Sequence, residues 1–590
     1  MEQPIELAQY LFTRLQQVGV RGIHGVPGDF NLVALDYVEK AGLKWVGNCN
    51  ELNAGYAADG YAQVNGIGAI VTTFGVGELS AINALAGSYA EYVSVVHVVG
   101  VPSTVSQRNG MVLHHTLGNG DFRVFADMYE KISVAQANLT NPATAPELID
   151  HCIRECYIQS RPVYIQLPSD MAMEKVEGAL LRTPIDLSDP VNDPEVEDYI
   201  AKTILNRLYE AKSPAILVDA GAHRHRILNE VDELIRLTNL PTFIAPMGKG
   251  NVNETLPNFC GVYAGDGSRK AIRDYVDSSD LVLTIGNVKT DINTAGFSYR
   301  ISRLSTVDLH NGYVQLDYAR YDGLYMKSLV RKLIAQLDAK KLHVNGHVQH
   351  IFAQLKAEAP NEPSSDYPTD LVTHEYLWPR MSSWLQPHDI LLTETGTSSL
   401  GIWETQLPEH VMAISQSLWS SIGYTLGSAQ GAALAAQEAG TGRRTILFEG
   451  DGSFQMTAQE ISTMIRHKLR IIVFLIANEG YTIERWIHGI DAVYNDTATW
   501  RYKDFPVTVG AQEGEAKAYC VKTRAELETL LADEEFNSVP CLQFVELHMP
   551  KMDAPLAIKL VANAAQKNNR KNSIHETVPS AVNIVVRDNA

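Results

Sequence analysis

The clearest alternation of apolar and polar positions in the chain lies between residues 445 and 488. Thr445–Phe448 and Ile471–Ile476 are short apolar runs rich in branched residues, which is typical of buried strands in a parallel sheet. Between these runs, one helical face would carry Met456, Ile461, Met464 and Ile465. The pattern therefore predicts a strand, a single helix and a second strand.

Polar residues follow both of these predicted strands. Asp451, in a Gly-Asp-Gly turn, comes after the first strand, and Asn478 and Gly480 come after the second. Because the strands of such a unit run in the same direction, the residues that follow them reach the same edge of the sheet. A carboxylate, an amide oxygen and a carbonyl oxygen are the hard ligands that Mg²⁺ prefers when a diphosphate supplies the rest. The alternative is that Gly-Asp-Gly is only a tight turn.

Composition limits the classes of protein to which the chain can belong. With 590 residues, of which 45% are hydrophobic, it is long enough for roughly two to four globular domains. Its 49 Lys and Arg against 68 Asp and Glu give a net charge of −19. Since no dense basic run precedes the C-terminal tail, neither nucleic acid nor an anionic membrane is expected as a partner. Six scattered cysteines and an N-terminus without a long apolar run indicate a cytoplasmic protein with reduced thiols.

The first third of the chain repeats the arrangement of strands followed by polar turns. Gly22–Val26 is predicted to be a strand that ends before Asp29. Glu51 opens a small-residue helix, where position alone indicates a structural role in the first turn. Ala69–Phe74 runs into a glycine turn similar to a dinucleotide fingerprint, but no acidic residue closes the next strand, so NAD or FAD binding is not favoured. The repetition predicts related folds for the first and third domains.

Two adjacent histidines, His114 and His115, lie in a glycine-rich loop. A single loop histidine is usually a solvated polar residue, whereas two together favour proton chemistry. Metal binding is the weaker alternative, because neighbouring side chains chelate poorly without a third ligand nearby.

Two segments rich in proline and acidic residues, 181–197 and 357–370, are predicted to be linkers. They divide the chain into domains at residues 1–182, 198–350 and 370–563, followed by a polar, irregular tail at 566–590. Each domain is predicted to be of the α/β class, with a mainly parallel sheet flanked by helices.

Several separated motifs follow one another along the chain: VPGDFN, NELNAGYAADGYA, TTFGVGELSA, LHHTLGNGDF, TETGTS, SLWSSIGY, GDGS with a later N-x-G, and GYTIE. Up to about residue 565, the chain resembles the fungal pyruvate decarboxylases, a family of thiamine diphosphate-dependent 2-oxo acid decarboxylases. The resemblance implies a carboxy-lyase that converts pyruvate to acetaldehyde and CO₂ with thiamine diphosphate and Mg²⁺, in cytoplasmic alcoholic fermentation. It also implies a homo-oligomer, at least a dimer and expected to be a tetramer, because the family holds the cofactor between the first domain of one subunit and the third domain of another.

The resemblance also implies roles for individual residues around the cofactor. It replaces the structural interpretation of Glu51 by a catalytic one, in which the carboxyl group hydrogen-bonds the aminopyrimidine ring. Ile422 would be the apolar wedge that bends the cofactor, and the carbonyl group of Ser420 would contact its amino group. The diphosphate and its metal would be held by Thr397, Asp451, Gly452, Ser453, Asn478 and Gly480, of which Asp451, Asn478 and Gly480 would bind Mg²⁺.

Around the 2-oxo acid, the resemblance implies four polar residues that orient the carboxylate and transfer protons: Asp29, His114, His115 and Glu484. Glu484 is expected to be protonated in the productive complex, because two carboxylates side by side in a closed site repel each other. The substrate's side chain would be enclosed by Ser399, Leu400, Ile483 and Ile487. A methyl group would fit this pocket best.

Three residues depart from the family pattern. Ser420 stands where the family commonly has Gly, Ala477 where an Asn often precedes the metal-binding Asn, and Glu449 where an apolar residue usually precedes Gly-Asp-Gly. The first two should be tolerated, whereas the residues alone offer no physical account of Glu449. The regulatory cysteine of some fungal members is also missing from Asp219–His223, and Tyr92 replaces its usual histidine partner. Substrate activation by that route is therefore not expected.

Three other functions remain open on the sequence alone. The same machinery could decarboxylate larger 2-oxo acids, such as indolepyruvate or phenylpyruvate, and only the pocket residues would discriminate. A carboligating synthase of the same superfamily is less favoured, because His114, His115 and Glu484 suit the release of an aldehyde by protonation. A structural or assembly protein that kept the fold without the chemistry is disfavoured by the complete set of polar residues.

Overall fold

Three six-stranded sheets, each flanked by helices, form the framework of the protein. The computed structural model describes residues 4–344, 346–358 and 367–561. A further two-stranded antiparallel sheet lies in the first unit. This architecture confirms the predicted α/β class.

The first unit contains a sheet in which all neighbouring strands are parallel, in the order β3-β2-β4-β5-β7-β6. The strands of the unit are β1 (Ile5–Glu6), β2 (Gly22–Gly25), β3 (Lys44–Trp45), β4 (Gly68–Thr73), β5 (Val95–Val101), β6 (Gln136–Asn138), β7 (Val163–Pro168) and β8 (Lys175–Val176). Its helices are α1 (Leu7–Gln17), α2 (Leu32–Leu35), α3 (Glu51–Asn65), α4 (Val76–Ala90), α5 (Thr104–Arg108), α6 (Val124–Tyr129) and α7 (Ala145–Gln159). Strands β4 and β5 are buried along their whole length, which explains their continuous apolar runs.

The second unit contains a sheet in the order β11-β10-β9-β12-β13-β14, in which only β14 is antiparallel to its neighbour. Its strands are β9 (Pro214–Val218), β10 (Thr242–Ile244), β11 (Phe259–Val262), β12 (Leu281–Ile285), β13 (Thr306–Leu316) and β14 (Ala319–Tyr325). Its helices are α8 (Pro194–Glu210), α9 (Ala220–Arg224), α10 (Leu228–Thr238), α11 (Lys270–Ser278), α12 (Met326–Gln336) and α13 (His347–Glu358).

The third unit contains a sheet in the order β16-β15-β17-β18-β20-β19, again with all neighbours parallel. Its strands are β15 (Ile390–Thr393), β16 (Met412–Ile414), β17 (Thr445–Gly450), β18 (Ile471–Ala477), β19 (Ala516–Val521) and β20 (Leu542–His548). Its helices are α14 (His374–Trp384), α15 (Thr397–Gly401), α16 (Tyr424–Glu438), α17 (Asp451–Thr457), α18 (Glu460–Arg466), α19 (Thr482–Ile487), α20 (Phe505–Thr508), α21 (Arg524–Ala532) and α22 (Glu534–Ser538).

The first and third sheets have the same topology. Their strands, counted in chain order within each sheet, lie in the spatial order 2-1-3-4-6-5, whereas the second sheet reads 3-2-1-4-5-6. This identity confirms the predicted relation between the first and third folds. Each of the two also places polar loops at the carboxyl ends of its strands, where a ligand can reach them.

Helices α3 and α16 join the first unit to the third. A Cβ atom on Gly60 would lie 2.0 Å from the carbonyl oxygen of Ser428, and one on Gly431 would lie 1.8 Å from that of Ala57. The two backbones therefore touch where the sequence has small residues, and a larger side chain would push the helices apart. Buried residues of both units, such as Ala58 and Ala432, belong to one hydrophobic core.

The single helix predicted between β17 and β18 is wrong, because the structure has two helices there. Helix α17 ends at Thr457, whose hydroxyl group donates to the carbonyl oxygen of Gly423 (2.8 Å), and α18 begins at Glu460. The interruption leaves Met456 55% exposed, while Ile461 is fully buried. A contact with the start of α16, distant in sequence, thus overrides the helical spacing.

The predicted domain boundaries stay predictions. Helix α8 begins at Pro194 and runs across the proposed start at residue 198. Residues 556–561 are helical, and the predicted tail at 566–590 lies outside the described residues. Among the described helices, none combines the length and the apolar character needed to span a bilayer.

Candidate active site

Asp451 lies at the edge of the third sheet, as the first residue of α17 directly after β17. Its carboxylate accepts hydrogen bonds from the backbone N–H groups of Asn478 (3.1 Å), Glu479 (2.7 Å) and Gly480 (3.2 Å). Strands β17 and β18 are parallel neighbours, so their carboxyl ends bring these residues together. Burial raises the pKa of Asp451 to about 6, and a bound cation would stabilise the ionised form.

The residues around Asp451 suit a hard cation and a diphosphate. Asn478 donates its amide nitrogen to Thr482 Oγ1 (2.9 Å), which leaves the amide oxygen available as a ligand. Gly480 has a φ of +123°, and a Cβ atom there would lie 2.1 Å from the carbonyl oxygen of Asn495, so only glycine fits. A Cβ atom on Gly452 would lie 2.5 Å from the ring of Tyr481. The atoms that could coordinate a cation here are oxygens, which Mg²⁺ prefers over softer ligands.

An apolar cavity of about 290 Å³ lies between the second and third units. All four residues predicted for the substrate pocket line it, namely Ser399, Leu400, Ile483 and Ile487, and so does Ser420. Its remaining walls include Pro246, Ile292, Trp403 and Ile558. No sequence signal pointed to the second unit as part of this wall.

A separate polar cluster lies in the first unit. His114 Nε2 is 2.5 Å from Asp29 Oδ2, and His115 Nε2 is 4.0 Å from Asp29 Oδ1. The ring of Phe30 stacks on that of His114, with centroids 4.9 Å apart. The structure therefore brings together three of the four residues that were predicted to transfer protons, Glu484 being the exception, and the side chains of His114 and Asp29 are 57% and 49% exposed.

Glu51 begins α3, but it does not cap the helix. Asn50 is the cap, because its side-chain oxygen accepts the N–H of Asn53 (2.8 Å). Glu51 is half-buried, and burial raises the pKa of its carboxyl group. Its Oε1 atom would lie 3.1 Å from a Cβ atom on Gly77, so glycine at that position keeps room beside the carboxyl group. The helix therefore does not depend on Glu51 for its cap.

The predicted catalytic residues fall into two groups within one chain. Asp29, Glu51, His114 and His115 lie in the first unit, and Glu484 is exposed on α19 of the third unit. Among the described residues, those that line the 290 Å³ cavity include none from the first unit. The structure thus does not bring the two groups together around this cavity.

Comparison with protein families accounts for all three units. The N-terminal TPP binding domain of thiamine pyrophosphate enzymes matches residues 5–122, their central domain matches 201–322, and their C-terminal TPP binding domain matches 394–542. A pyruvate decarboxylase of Aspergillus terreus is 56% identical over 569 residues, which are 96% of this chain and 98% of that protein. One of Candida albicans is 45% identical over 569 residues, which are 96% and 99% of the two chains. The chain belongs to the pyruvate decarboxylase family of thiamine pyrophosphate enzymes.

In this family member, the loop that leads to Ser420 and Ile422, two predicted cofactor contacts, is hydrogen-bonded to the first unit. Glu91 Oε1 accepts the backbone N–H groups of Ser417 (2.9 Å), Leu418 (2.7 Å) and Trp419 (3.0 Å). Ser420, the next residue, has a φ of +53°, in the left-handed region that favours glycine. The backbone of Ser420 is therefore strained, because a serine stands where the family commonly has glycine.

The other predicted cofactor contacts of this thiamine pyrophosphate enzyme lie at helix starts and strand ends of the third unit. Thr397 is the first residue of α15, and Ser453 is buried in the first turn of α17. Ile422 is half-buried, two residues before α16 begins. All three lie in segments that follow a strand or precede a helix, as their motifs indicated.

Glu449 has a structural partner that sequence reasoning missed. Thr425 Oγ1 lies 2.5 Å from Glu394 Oε2 and 2.6 Å from Glu449 Oε2, and both glutamates are buried. Burial and the neighbouring Glu394 carboxylate raise the pKa of Glu449 well above its ordinary value. A hydroxyl group has one hydrogen to donate, so a second proton on one carboxyl group completes the arrangement. The sequence signal that could have revealed this contact is the acidic residue inside the otherwise apolar strand β17.

Proposed function

We propose that the protein is a pyruvate decarboxylase, which converts pyruvate to acetaldehyde and CO₂ with thiamine diphosphate and Mg²⁺. The observation that carries this proposal is the 290 Å³ apolar cavity, which is lined by Ser399, Leu400, Ile483 and Ile487. Its walls suit the methyl group of a short 2-oxo acid. The names of the relatives from Aspergillus terreus and Candida albicans support the same substrate.

In this proposal, the third unit holds the cofactor. Thiamine diphosphate supplies, when bound, the nucleophilic carbon and the electron sink that decarboxylation requires. Asp451, Asn478 and the carbonyl group of Gly480 would hold Mg²⁺ through oxygen ligands. The diphosphate would lie against Thr397, Gly452 and Ser453, and the carbonyl group of Ser420 and the side chain of Ile422 would hold the rest of the cofactor in position.

Five side chains would handle protons. Glu51 would hydrogen-bond the aminopyrimidine ring, and its raised pKa favours a carboxyl group that can donate as well as accept. Asp29 and His114, 2.5 Å apart, form a pair that can pass a proton to the product side. His115 and Glu484 would orient the substrate carboxylate beside them, with Glu484 protonated.

We also propose that the site is completed by a second copy of the chain, in a homodimer at least and a homotetramer as the expected assembly. The support is that Asp29 and His114 are about half exposed and that Glu484 is exposed on a different unit. A facing subunit would cover both groups and exclude water between them. Alcoholic fermentation in the cytoplasm is the role that we propose for this activity.

The test is CO₂ release by the purified protein with thiamine diphosphate and Mg²⁺, with pyruvate, 2-oxobutanoate and phenylpyruvate compared at equal low concentrations. The proposal predicts the highest rate with pyruvate and one acetaldehyde for each CO₂. Glu51→Gln should abolish turnover while the cofactor still binds. A preference for phenylpyruvate would reject the substrate and leave the site assignments in place, whereas bound cofactor without turnover of any 2-oxo acid would reject the function. Sedimentation velocity tests the assembly.

A further inference from the structure

A second cluster of metal-ligating side chains lies in the third unit, outside the proposed active site. It consists of Cys520 on β19 with Glu546 and His548 on β20. The cysteine sulfur, a glutamate oxygen and a histidine nitrogen all lie within 4.8 Å of one another. No step of the proposed reaction uses these side chains.

Sheet geometry brings the three residues together. Strands β19 and β20 are parallel neighbours, and Cys520 is paired with Glu546 in their register. His548 follows Glu546 by two residues, so both side chains point to the same face of the strand. The cluster lies at the carboxyl ends of the two strands, where loops leave room for a ligand.

Hydrogen bonds already orient two of the side chains. Glu546 Oε2 accepts the backbone N–H of Lys503 (2.8 Å), and Glu546 Oε1 lies 2.9 Å from His548 Nε2. The Lys503 contact holds the carboxylate in place before a cation arrives, and the proton between Glu546 Oε1 and His548 Nε2 would leave when these atoms bind the cation. Only small side-chain movements would then be needed to bind one.

The spacing and the chemistry of the donors fit a tetrahedral divalent cation. Around Zn²⁺, bonds of about 2.0 Å to nitrogen or oxygen and about 2.3 Å to sulfur put neighbouring ligand atoms roughly 3.3 to 3.6 Å apart. Glu546 Oε1 and His548 Nε2 are 2.9 Å apart, and all three ligand atoms lie within 4.8 Å of one another, which is compatible with that range. A sulfur, a nitrogen and an oxygen donor select Zn²⁺ or Co²⁺ over Mg²⁺, which prefers oxygen ligands alone.

We propose that Cys520, Glu546 and His548 bind one Zn²⁺-class divalent cation, with the fourth position open to water. Cys520 is exposed and the other two side chains are partly exposed, so a hydrated cation can enter. Burial and the neighbouring Glu546 raise the pKa of the Cys520 thiol, whereas Lys522 and Lys503 lower it, and a bound cation would favour the thiolate.

The site is distinct from the candidate Mg²⁺ site but close to it. Glu546 and His548 line a cavity of about 250 Å³ that also has Asp451 in its wall. The experiment must therefore keep the Asp451 site filled, so that the added cation reports on the cysteine cluster alone.

The test uses the untagged full chain, saturated with thiamine diphosphate and Mg²⁺, and titrated with Co²⁺. Thiolate ligation produces a near-ultraviolet charge-transfer absorption that oxygen and nitrogen ligands do not produce. We expect one Co²⁺ per chain with this absorption, and displacement by Zn²⁺. Cys520→Ser should remove the absorption, and His548→Gln should weaken Co²⁺ binding at least about tenfold. Cys49→Ser is the matched control, because Cys49 is the other exposed cysteine in the described residues and should change neither result.

The proposal fails if the unsubstituted protein shows no thiolate absorption with Co²⁺, or if the absorption survives Cys520→Ser. It also fails if His548→Gln binds Co²⁺ as tightly as the unsubstituted chain. The substituted side chains are partly exposed, and circular dichroism of each variant shows whether the fold is retained. These readouts do not depend on decarboxylase activity, so they remain informative if the proposed function is rejected.

Discussion

Glu91 links the first unit to the loop before Ser420, and its truncation is the sharpest test of how the cofactor site is supported. One oxygen of this buried side chain accepts three backbone N–H groups, those of Ser417, Leu418 and Trp419. Glu91→Ala removes that oxygen and leaves three donors without an acceptor. Glu91→Gln keeps an oxygen in the same place, and because burial raises the pKa of Glu91, a neutral amide is a close substitute.

The size of the effect follows from these three hydrogen bonds. A hydrogen bond contributes about 0.5 to 1.5 kcal/mol between neutral groups and about 1.5 to 3 kcal/mol to a charged one, and bonds that share one acceptor do not add in full. We therefore expect Glu91→Ala to destabilise the ordered loop by about 3 to 5 kcal/mol. Since each 1.4 kcal/mol corresponds to a factor of about ten, thiamine diphosphate should bind at least about a hundredfold more weakly. Glu91→Gln should destabilise the ordered loop by less than about 1.5 kcal/mol.

The assay is calorimetric titration of thiamine diphosphate at saturating Mg²⁺, together with the change in tryptophan fluorescence between the unsubstituted protein and Trp419→Phe, which isolates the signal of Trp419 as a report on loop order. Glu130→Ala is the matched control, because Glu130 is exposed in the same unit and, within the described part of the chain, forms an ion pair with the neighbouring Lys131. Cofactor binding by Glu91→Ala within about threefold of the unsubstituted protein would refute the reasoning. Equal losses of cofactor affinity in Glu91→Ala and Glu91→Gln would show that the charge of Glu91 matters, and not its oxygen as a hydrogen-bond acceptor.

Three further predictions concern strain, pH and proton transfer. Burial raises the pKa of Glu78 to about 7 from 4.5. Its contribution to the free energy of unfolding is therefore complete below pH 4.5 and is lost as the pH rises through 7. Glu78→Gln should remove up to about 3 kcal/mol of this pH dependence, as urea unfolding at different pH values would measure. Ser420→Gly should raise the free energy of unfolding by up to about 1 kcal/mol, because it relieves a left-handed backbone conformation, and a loss of stability would contradict this. Asp29→Asn and His114→Gln should each lower kcat by about a hundredfold or more without weakening cofactor binding, as stopped-flow and titration would measure.

Much of the fold was predictable because buried parallel strands leave a local signal. The predicted strands Thr445–Phe448 and Ile471–Ile476 begin where β17 and β18 begin and end within two residues of their observed ends, since both are buried apolar runs. Once β17 and β18 were recognised as a crossover unit, Asp451 and Asn478 had to meet at one sheet edge. The resemblance to the family, and not the position of Glu51 at a helix start, led to the catalytic role that we propose for this residue.

The sequence by itself thus determined the three α/β units, their family and the residues proposed to hold the cofactor. Only the tertiary structure decided which distant residues meet: Glu449 with Glu394, Glu91 with the loop before Ser420, and Cys520 with His548. It also decided the break between α17 and α18, which the regular spacing of apolar residues concealed. The physical reason is that a strand or helix is encoded by near neighbours, whereas these contacts join segments whose proximity depends on sheet order and on packing between units.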